Sequence, residues 1–386
     1  MRVRFKIVLF CSIFFSTVLY GQDTGWTLPT PDSNKLPTAL IPYPDEVIRQ
    51  KGCFSFSTLK ADIGSLDKIK DHEQVGKELN EVCMFWNMPE QAPTVCKVYF
   101  KQLPEEQDAL KREAYQLVIS DNSVRISANS FAGFFNALQT LRQLIKETSD
   151  VYELSNCIIN DVPAFSIRGV MLDVGRNYAA TPFIKEMIRK LSYYKINVLH
   201  LHLTDDPGWR IEVKGMPELT APSSFWKTRQ PGKYYTQEEL ISLENYCTTL
   251  NMRIIPEVDM PGHSAYFEKA TGLKLQTQQG MATLQKALDE VIPLFKDSFF
   301  HIGSDEVHFE MDSFMPEMIK YVRSKGKEVI TWYPGYSPDS KAIRMCWGEN
   351  EAAHPIDKTA RYIDSNGFYM DYMDSQGGML QTFFQQ

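Results

Sequence analysis

The chain has 386 residues, of which 43% are hydrophobic and 12% aromatic, enough for a large barrel with an accessory domain. Its formal net charge is −7, from 41 basic and 48 acidic residues. This balance argues against a nucleic-acid partner, because phosphate binding relies on an excess of lysine and arginine.

The N-terminal segment MRVRFKIVLFCSIFFSTVLYGQ is typical of a secretory signal peptide. Three basic residues precede an apolar run that extends from Ile7 to Leu19, and the small residue Gly21 follows this run. The run is too short for a stable membrane span, and no second stretch has the roughly 20 apolar residues that a membrane helix needs. We therefore predict a signal peptide over residues 1–21 and an exported mature protein, periplasmic or secreted, without a membrane span.

Seven cysteines are scattered along the chain, and Cys11 lies within the predicted signal peptide. The other six include no C-x-x-C pair, so their spacing does not indicate a zinc site. Export would permit disulfides, and Cys83 with Cys96 is a possible pair. Most of the six are better explained as small buried hydrophobic residues.

Residues 22–160 are predicted to form an α+β accessory domain, which starts with an extended, proline-rich lead-in over residues 22–45. Strand patterns occur at KVYFKQL, AYQLVIS and SVRISAN. In the following segment, SFAGFFNALQTLRQLIKE, apolar residues recur every three to four positions, which predicts an amphipathic helix that packs on a core. This half of the sequence has no cluster of titratable residues suited to chemistry.

Residues 161–386 contain seven short apolar runs that end in polar residues. They are GVMLDVGR, INVLHLHLTDD, MRIIPEVDMPGH, FFHIGSDEV, EVITWY, AIRMCWGE and FYMDYMD. Helical patterns at PFIKEMIRKLSYYK, TQEELISLENYCTTL and GMATLQKALDEVIPLF separate the early runs. Strands that alternate with helices indicate parallel pairing, and near-continuous apolar strands indicate a sheet covered on both faces. Seven such units favour a (β/α)8-type TIM barrel over a doubly wound sheet, which usually has a glycine-rich turn after its first strand.

The carboxyl ends of the predicted strands carry polar or aromatic residues, and in a TIM barrel the functional groups gather at these ends. They are Asp173, Arg176, His202, Asp205, Asp206, Glu257, Asp259, His263, Asp305, Glu306, Trp332, Trp347, Glu349, Tyr369 and Asp371. Carboxylates with aromatic walls, and without a thiol nucleophile or a set of metal ligands, indicate carbohydrate chemistry, since sugar faces stack on aromatic rings and hydroxyls bind acids and arginine. We predict no metal and no cofactor.

Two of these acids, Asp305 and Glu306, are neighbours in the sequence. Most glycosidases place two carboxylates on opposite sides of the scissile bond. On a strand, adjacent residues point to opposite faces, so both could reach one ligand only at the flared end. Adjacent acids that approach from one side favour a mechanism in which the substrate supplies the nucleophile.

Five motifs together resemble glycoside hydrolase family 20, the β-N-acetylhexosaminidases. They are RGVMLDVGRNY, YYKINVLHLHLTDDPGWRIEVKGMPELT, YYTQEELISLENYC, IIPEVDMPGHSAY and FFHIGSDEV. The likeness runs from about residue 160 to 375, and the helix FAGFFNALQTLRQL resembles the accessory domain that precedes the family's barrel. It implies an exo-acting enzyme that removes terminal, non-reducing β-linked GlcNAc or GalNAc, so its partners would be glycans bearing terminal N-acetylhexosamine.

The resemblance also implies roles for individual residues in a retaining, substrate-assisted mechanism. Glu306 is expected as general acid and later base, and Asp305 as the group that holds the acetamido N–H while the acetamido oxygen forms an oxazolinium intermediate. His263 and Asp205 resemble the relay pair behind the acid. Substrate contacts are expected from Arg176, His202, Trp332, Trp347, Tyr369 and Asp371.

Several alternatives stay open at this level. Tyr372 and Asp374 offer a second frame for the last two of these contacts. Asp206 and Arg210 are better explained as braces of a loop than as sugar contacts, and Arg168 as a structural ion-pair partner. No match to the family's eighth strand is present in this sequence, so the alternative function is a non-catalytic or weakly active carbohydrate-binding barrel.

Overall fold

The computed structural model describes most of the chain within one compact unit. The described residues are 40–120, 122–148, 151–336, 342–347 and 360–365. The predicted signal peptide, Glu349, Tyr369 and Asp371 lie outside these ranges, and the statements about them stay predictions. Among the helices that are described, none combines the length and the apolar content needed to cross a bilayer.

The accessory half is built on a mixed sheet. Its described strands are β1 (Glu46–Phe56), β2 (Thr58–Ala61), β3 (Val95–Gln102), β4 (Tyr115–Ser120), β5 (Ser123–Ala128), β6 (Lys146–Thr148) and β7 (Val151–Asp161). Its described helices are α1 (Ile63–Leu66), α2 (His72–Phe85), α3 (Ala109–Arg112) and α4 (Phe131–Leu144). The strand order is β1-β7-β4-β5-β3-β2, with β6 paired to β7. The three strands and the helix that the sequence predicts are confirmed as β3, β4, β5 and α4.

Helix α4 supplies much of the accessory core. Ser130 caps it, with its Oγ accepting a hydrogen bond from the backbone N–H of Gly133. Phe134, Leu138 and Leu141, which recur at three- to four-residue spacing, are fully buried. The predicted apolar stripe is therefore a packing surface.

The second half alternates strands with helices. Its described strands are β8 (Gly169–Asp173), β9 (Val198–His202), β10 (Thr204–Asp205), β11 (Gly208–Trp209), β12 (Arg253–Glu257), β13 (Phe299–His301), β14 (Glu328–Tyr333), β15 (Ile343–Cys346) and β16 (Arg361–Asp364). Its described helices are α5 (Thr181–Tyr193), α6 (Gln237–Thr249), α7 (Ala265–Thr271), α8 (Gln278–Val291) and α9 (Phe314–Ser324). All of these strands except the hairpin β10–β11 form one parallel sheet in chain order.

This curled parallel sheet, preceded by an α+β domain, is the predicted barrel-type architecture. Six of the seven predicted apolar runs form its strands β8, β9 and β12 to β15. The seventh run, FYMDYMD, lies outside the described residues, and β16, which the sequence pattern did not predict, pairs with β15 instead. Strand β13 is also shorter than predicted, because it ends at His301.

The strands carry a separate core on each face. Val198, Ile255 and Ile330 meet in a small inner cluster, whereas Leu199 and Leu201 join the larger cluster under the helices. Because successive strand residues face opposite sides, the alternate residues of β9 after Val198 also face inward. These are His200 and His202, so polar groups replace apolar ones toward the carboxyl end of the barrel interior.

A buried lysine joins the two halves of the chain. Lys195 follows α5, and its Nζ lies 2.8 Å from Asp161 Oδ2 and 2.9 Å from the Tyr115 hydroxyl. The Lys195 and Asp161 side chains are only 5% and 12% exposed, and breaking such a buried pair typically costs about 3–5 kcal/mol. Arg168 pairs in the same region with Glu113 at 2.5 Å, which confirms its predicted structural role.

The prediction that most of the cysteines are small buried hydrophobic residues is confirmed in part. Cys96, Cys157 and Cys247 are buried thiols. Cys83 and Cys96 are separate thiols, so the disulfide considered for this pair is not formed. Burial raises the pKa of the Cys96 thiol to about 12, as expected of a residue that packs rather than reacts.

Candidate active site

Four polar residues lie side by side at the carboxyl ends of neighbouring strands. Asp173 of β8 is in register with His202 of β9, and His202 with Glu257 of β12. Glu257 is in turn in register with His301 of β13. The parallel register therefore places a row of titratable groups at the end of the sheet where barrel enzymes hold their sites.

The loop after β13 carries Asp305 and Glu306. Gly303, Ser304 and Glu306 have φ angles of 68°, 99° and 47°, all in the left-handed region. A Cβ on Gly303 would lie 1.5 Å from Asp259 Oδ1, so this position requires glycine. At the other two residues, such backbone conformations cost about 1–3 kcal/mol each and are typical of functional loops. Asp305 and Glu306 lie in a loop, so the alternation of side-chain direction along a strand, which would separate the two acids, does not apply to them.

Both acids lie near the His263 ring. Its Nε2 lies 3.4 Å from Glu306 Oε2, and one of its ring nitrogens lies within 4.8 Å of an Asp305 carboxylate oxygen. The preceding Gly262 lets the two loops touch, because a Cβ there would be 2.8 Å from the Asp305 carbonyl oxygen. His263 itself has a φ of 47°, again in the left-handed region. Carboxylate oxygens of both adjacent acids thus lie within 4.8 Å of one imidazole.

Asp205 lies behind His263 and collects three cationic or potentially cationic partners. Its Oδ2 is 3.5 Å from His263 Nδ1, 2.7 Å from Arg176 Nη2 and 3.1 Å from His202 Nε2. Arg176 also pairs with Asp173 at 2.6 Å, while its side chain is still 41% exposed. The arginine is thereby oriented by two carboxylates with part of its guanidinium open to solvent.

Asp305 and Glu306 have different environments. The Glu306 side chain is 58% exposed, whereas Asp305 is only 9% exposed. Burial, together with the negative charge of Glu257, raises the pKa of Asp305 to about 6. Among the described residues, Asp305 Oδ1 has no hydrogen-bond partner although it is buried.

Asp259 supports the loop that carries these acids. It is fully buried, and its Oδ1 accepts a hydrogen bond of 3.3 Å from the Ser304 backbone N–H. Burial and the neighbouring Glu257 raise the pKa of Asp259 well above its usual range. Asp259 therefore contributes to the site mainly by holding the loop through the Ser304 N–H.

The predicted substrate-binding residues differ in their burial and in the groups that they contact. Trp332 is 7% exposed and packs on the His301 ring at a centroid distance of 4.5 Å. Trp347 follows β15, and its buried Nε1 has no hydrogen-bond partner in the ranges that are described. His202 is 3% exposed and lies between two carboxylates, which fits the relay better than the predicted contact with the sugar.

The loop braces are confirmed. Arg210 is fully buried and donates to backbone carbonyls of Val174, Gly175, Arg229, Gln230 and Lys233. Asp206 Oδ1 accepts a hydrogen bond from the backbone N–H of Ala265, at the start of α7. These contacts explain the positions of both side chains without a catalytic role.

Sequence reasoning placed Glu257 and Asp259 at a strand end but missed their partners. Glu257 with His200 and His301 has the donor types of a metal site. Its oxygens, however, lie 2.8 Å from His200 Nε2, 2.7 Å from His202 Nδ1 and 2.7 Å from Trp332 Nε1. The Trp332 contact is a hydrogen bond, whereas the two histidine contacts are close pairings that lack hydrogen-bond geometry. The signal in the sequence was the alternation of His200 and His202 within a buried strand.

Two family models match this chain. The model described as "Glycosyl hydrolase family 20, domain 2" matches residues 37–162, and "Glycosyl hydrolase family 20, catalytic domain" matches residues 165–279. Together they cover more than half of the chain. The chain belongs to glycosyl hydrolase family 20. The catalytic-domain match ends before β13, so the roles of Asp305 and Glu306 depend on the geometry above and on their own motif.

Similar proteins carry names from the same family. A beta-hexosaminidase of Vibrio furnissii is 34% identical over 232 residues, which are 51% of this family 20 chain and 38% of that protein. A beta-N-acetylhexosaminidase of Cellulomonas fimi is 32% identical over 247 residues, 57% of this chain and 50% of that protein. The chain thus spans half or less of the length of these two relatives.

Solved structures agree on the fold. The family 20 exo beta-N-acetylglucosaminidase of Vibrio harveyi, in complex with N-acetylglucosamine, is 26% identical with a TM-score of 0.66, over 82% of this chain and 58% of that one. The chitobiase of Flavobacterium johnsoniae has a TM-score of 0.72 at 24% identity, over 87% and 60% of the two chains, and shows the fold alone. An accessory domain followed by a TIM-type barrel is therefore the architecture of this chain.

Proposed function

We propose that the protein is an exo-acting β-N-acetylhexosaminidase, which hydrolyses terminal β-linked GlcNAc or GalNAc of glycans with retention of configuration. The observation that carries the proposal is that Asp305 and Glu306, adjacent in one loop, both lie near the His263 ring. Two acids held together in one loop are poorly placed to flank an anomeric carbon as a nucleophile and an acid would. They can serve a substrate whose own acetamido group is the nucleophile.

The first half-reaction breaks the glycosidic bond. The Glu306 carboxyl, exposed at the site, donates its proton to the leaving oxygen as the bond to the anomeric carbon breaks. The acetamido carbonyl oxygen of the sugar forms the new bond to that carbon, giving an oxazolinium ion. The Asp305 carboxylate, next to Glu306 in the same loop, accepts the acetamido N–H and stabilises the positive charge that develops.

The second half-reaction returns the protein to its starting state. The Glu306 carboxylate takes a proton from water, whose oxygen attacks the anomeric carbon and opens the oxazolinium ring. His263 lies 3.4 Å from Glu306 and is backed by Asp205, so it can follow the change in charge on Glu306. Arg176, which Asp173 and Asp205 orient, would bind ring hydroxyls through its open face.

The acetamido group should decide which substrates are cleaved. We expect release of p-nitrophenol from the β-GlcNAc glycoside at least about 10²-fold faster than from the matching β-glucoside, which lacks the intramolecular nucleophile. The measurement is kcat/KM for both substrates with one enzyme preparation. Equal rates would rule out substrate assistance. Folded protein that binds N-acetylglucosamine without releasing p-nitrophenol would support the alternative, a carbohydrate-binding barrel.

We also propose that the protein is exported through its N-terminal segment. The support is the basic start, the apolar run and the small residue Gly21 in the sequence. In a bacterial host that secretes proteins, the mature chain should begin just after this segment. N-terminal mass spectrometry of the purified protein checks this, and a mature chain that retains residues 1–21 would contradict it.

A further inference from the structure

Glu257 occupies the centre of the barrel interior at the level of the site. It ends β12, between His202 of β9 and His301 of β13, and its side chain is fully buried. An ionised carboxylate that is cut off from water is costly unless cations or hydrogen-bond donors surround it. Its surroundings therefore show what it does.

The two oxygens of Glu257 serve different parts of the site. Oε1 accepts a hydrogen bond of 2.7 Å from Nε1 of Trp332, a residue predicted to contact the substrate. Oε2 lies 2.7 Å from His202 Nδ1 and 2.8 Å from His200 Nε2. The ring of His301 faces the same carboxylate, and it is held neutral because burial lowers its pKa to about 4. One carboxylate thus connects the indole of Trp332 with the imidazole of His202.

His202 continues the connection toward the acid. Its Nε2 lies 3.1 Å from Asp205 Oδ2, and the same oxygen faces Arg176 and His263. His263 then reaches Glu306 at 3.4 Å. Titratable groups separated by successive distances of 2.7, 3.1, 3.5 and 3.4 Å therefore run from the barrel interior to the exposed acid.

The charges along this path depend on Glu257. Burial opposes a positive charge on His202, but Glu257 and Asp205 raise its pKa well above the usual range. Its two ring nitrogens lie 2.7 Å and 3.1 Å from carboxylate oxygens of these two acids. Burial likewise opposes a negative charge on Glu257, but the His202, His301 and His200 rings hold its pKa well below the usual range. Burial and Glu257 raise the pKa of Asp259, the other acid beside them, well above its usual range. Glu257 and His202, 2.7 Å apart, are placed as a buried pair in which each favours the charged form of the other.

We propose that Glu257 is a positioning residue of the active site, which fixes the Trp332 indole through one oxygen and keeps His202 charged behind the Asp205–His263 relay through the other. The inference rests on the proposed function for its effect on catalysis. The charge of His202 can be measured without any activity. The positioning role of Glu257 and the proposed function of the protein can therefore be rejected separately.

The variants Glu257→Gln and Glu257→Leu separate the two tasks. Glutamine keeps an acceptor for Trp332 Nε1 but removes the negative charge. Leucine removes both. Without its counter-ion His202 loses its positive charge, which changes the electrostatic potential at Asp205 and at the relay in front of it. We therefore expect the alkaline limb of the pH profile to move.

We expect Glu257→Gln to lower kcat by about 10- to 10²-fold with little change in KM, and to move the alkaline limb of kcat by about half a pH unit or more. Glu257→Leu should in addition raise KM by about 10-fold through loss of the Trp332 hydrogen bond. Glu244→Gln is the matched control. Glu244 is a buried glutamate on α6, outside the path, and burial raises its pKa to about 7. Its replacement should leave the pH profile unchanged.

Nitrogen-15 NMR of the histidine rings tests the charge directly. At about pH 7.5 the wild type should show one imidazolium signal that is absent from His202→Gln and from Glu257→Gln. Absence of this signal from the wild type, or its persistence in Glu257→Gln, would overturn the proposal. A stoichiometric metal ion in the purified protein that Glu257→Gln no longer holds would also overturn it. An inactive wild type that shows the signal would instead reject the proposed function alone.

Discussion

Replacing Glu306 with glutamine should lower kcat on the β-GlcNAc glycosides by about 10²- to 10⁴-fold, the usual contribution of a positioned general acid. Glutamine has nearly the same size and can still contact His263, so the loop after β13 should keep its conformation. The change removes only the transferable proton. The loss should be larger for a poor leaving group, such as a second sugar, than for p-nitrophenolate, because a good leaving group needs less protonation.

Glu310→Gln is the matched control for this variant. Glu310 is an exposed acid in the same segment, and its backbone N–H is held by the Gln276 side chain. Its replacement should keep the wild-type rate on both kinds of leaving group. If Glu306→Gln lost the same factor on both, Glu306 would not be the proton donor.

Replacing Asp305 with asparagine should reduce kcat/KM on the β-GlcNAc glycoside by about 10²- to 10³-fold. Asp305 accepts the acetamido N–H as a carboxylate, and its charge stabilises the cationic oxazolinium ring. Asparagine keeps the shape of the side chain and one acceptor oxygen but supplies no charge. KM should change less than kcat, because the charge on the sugar ring develops only in the transition state.

The pH profile gives Asp305 a second, independent test. The active form is the carboxylate, and the pKa of Asp305 is raised to about 6, so the wild-type kcat/KM should fall as the pH drops below about 6. In Asp305→Asn this acid limb should be lost. The exposed acid Asp312 is the control position, and Asp312→Asn should keep the limb. An unchanged acid limb in Asp305→Asn would assign the titration to another group.

The sequence predicts the strands and helices well where periodicity is strong. Helix α6 is an example, because the apolar period of TQEELISLENYCTTL is preceded by a capping box in which Thr236 and Glu239 bond reciprocally. Helices α7 and α9 were missed. Helix α7 has only seven residues, and neither has a side-chain cap that a pattern could have indicated.

The candidate site was predictable at the level of residue types and strand ends. His263 and Asp205 were placed behind Glu306, and the structure brings these three together. The position of Glu257 between His202 and Trp332 was not predictable. It depends on the register of strands far apart in the sequence, and nothing in a local pattern encodes that register.

The geometry of the two acids was also beyond a local reading. The prediction placed them at the flared end of a strand, whereas β13 ends at His301 and a loop with three positive φ angles follows. That loop is possible because Gly303 meets Asp259 and Gly262 meets the Asp305 carbonyl. Both contacts join segments about 40 residues apart.

The buried lysine that bridges the two halves has a consequence for the folding and the evolution of the chain. Lys195 belongs to the first β/α unit of the barrel, yet both of its partners, Asp161 and Tyr115, come from the preceding sheet. Without that sheet, an ammonium group and the Asn197 amide, which Glu113 binds, would lose their counterparts. The accessory segment thus behaves as a cofolding partner rather than as a cassette that evolution could add or remove without altering the barrel.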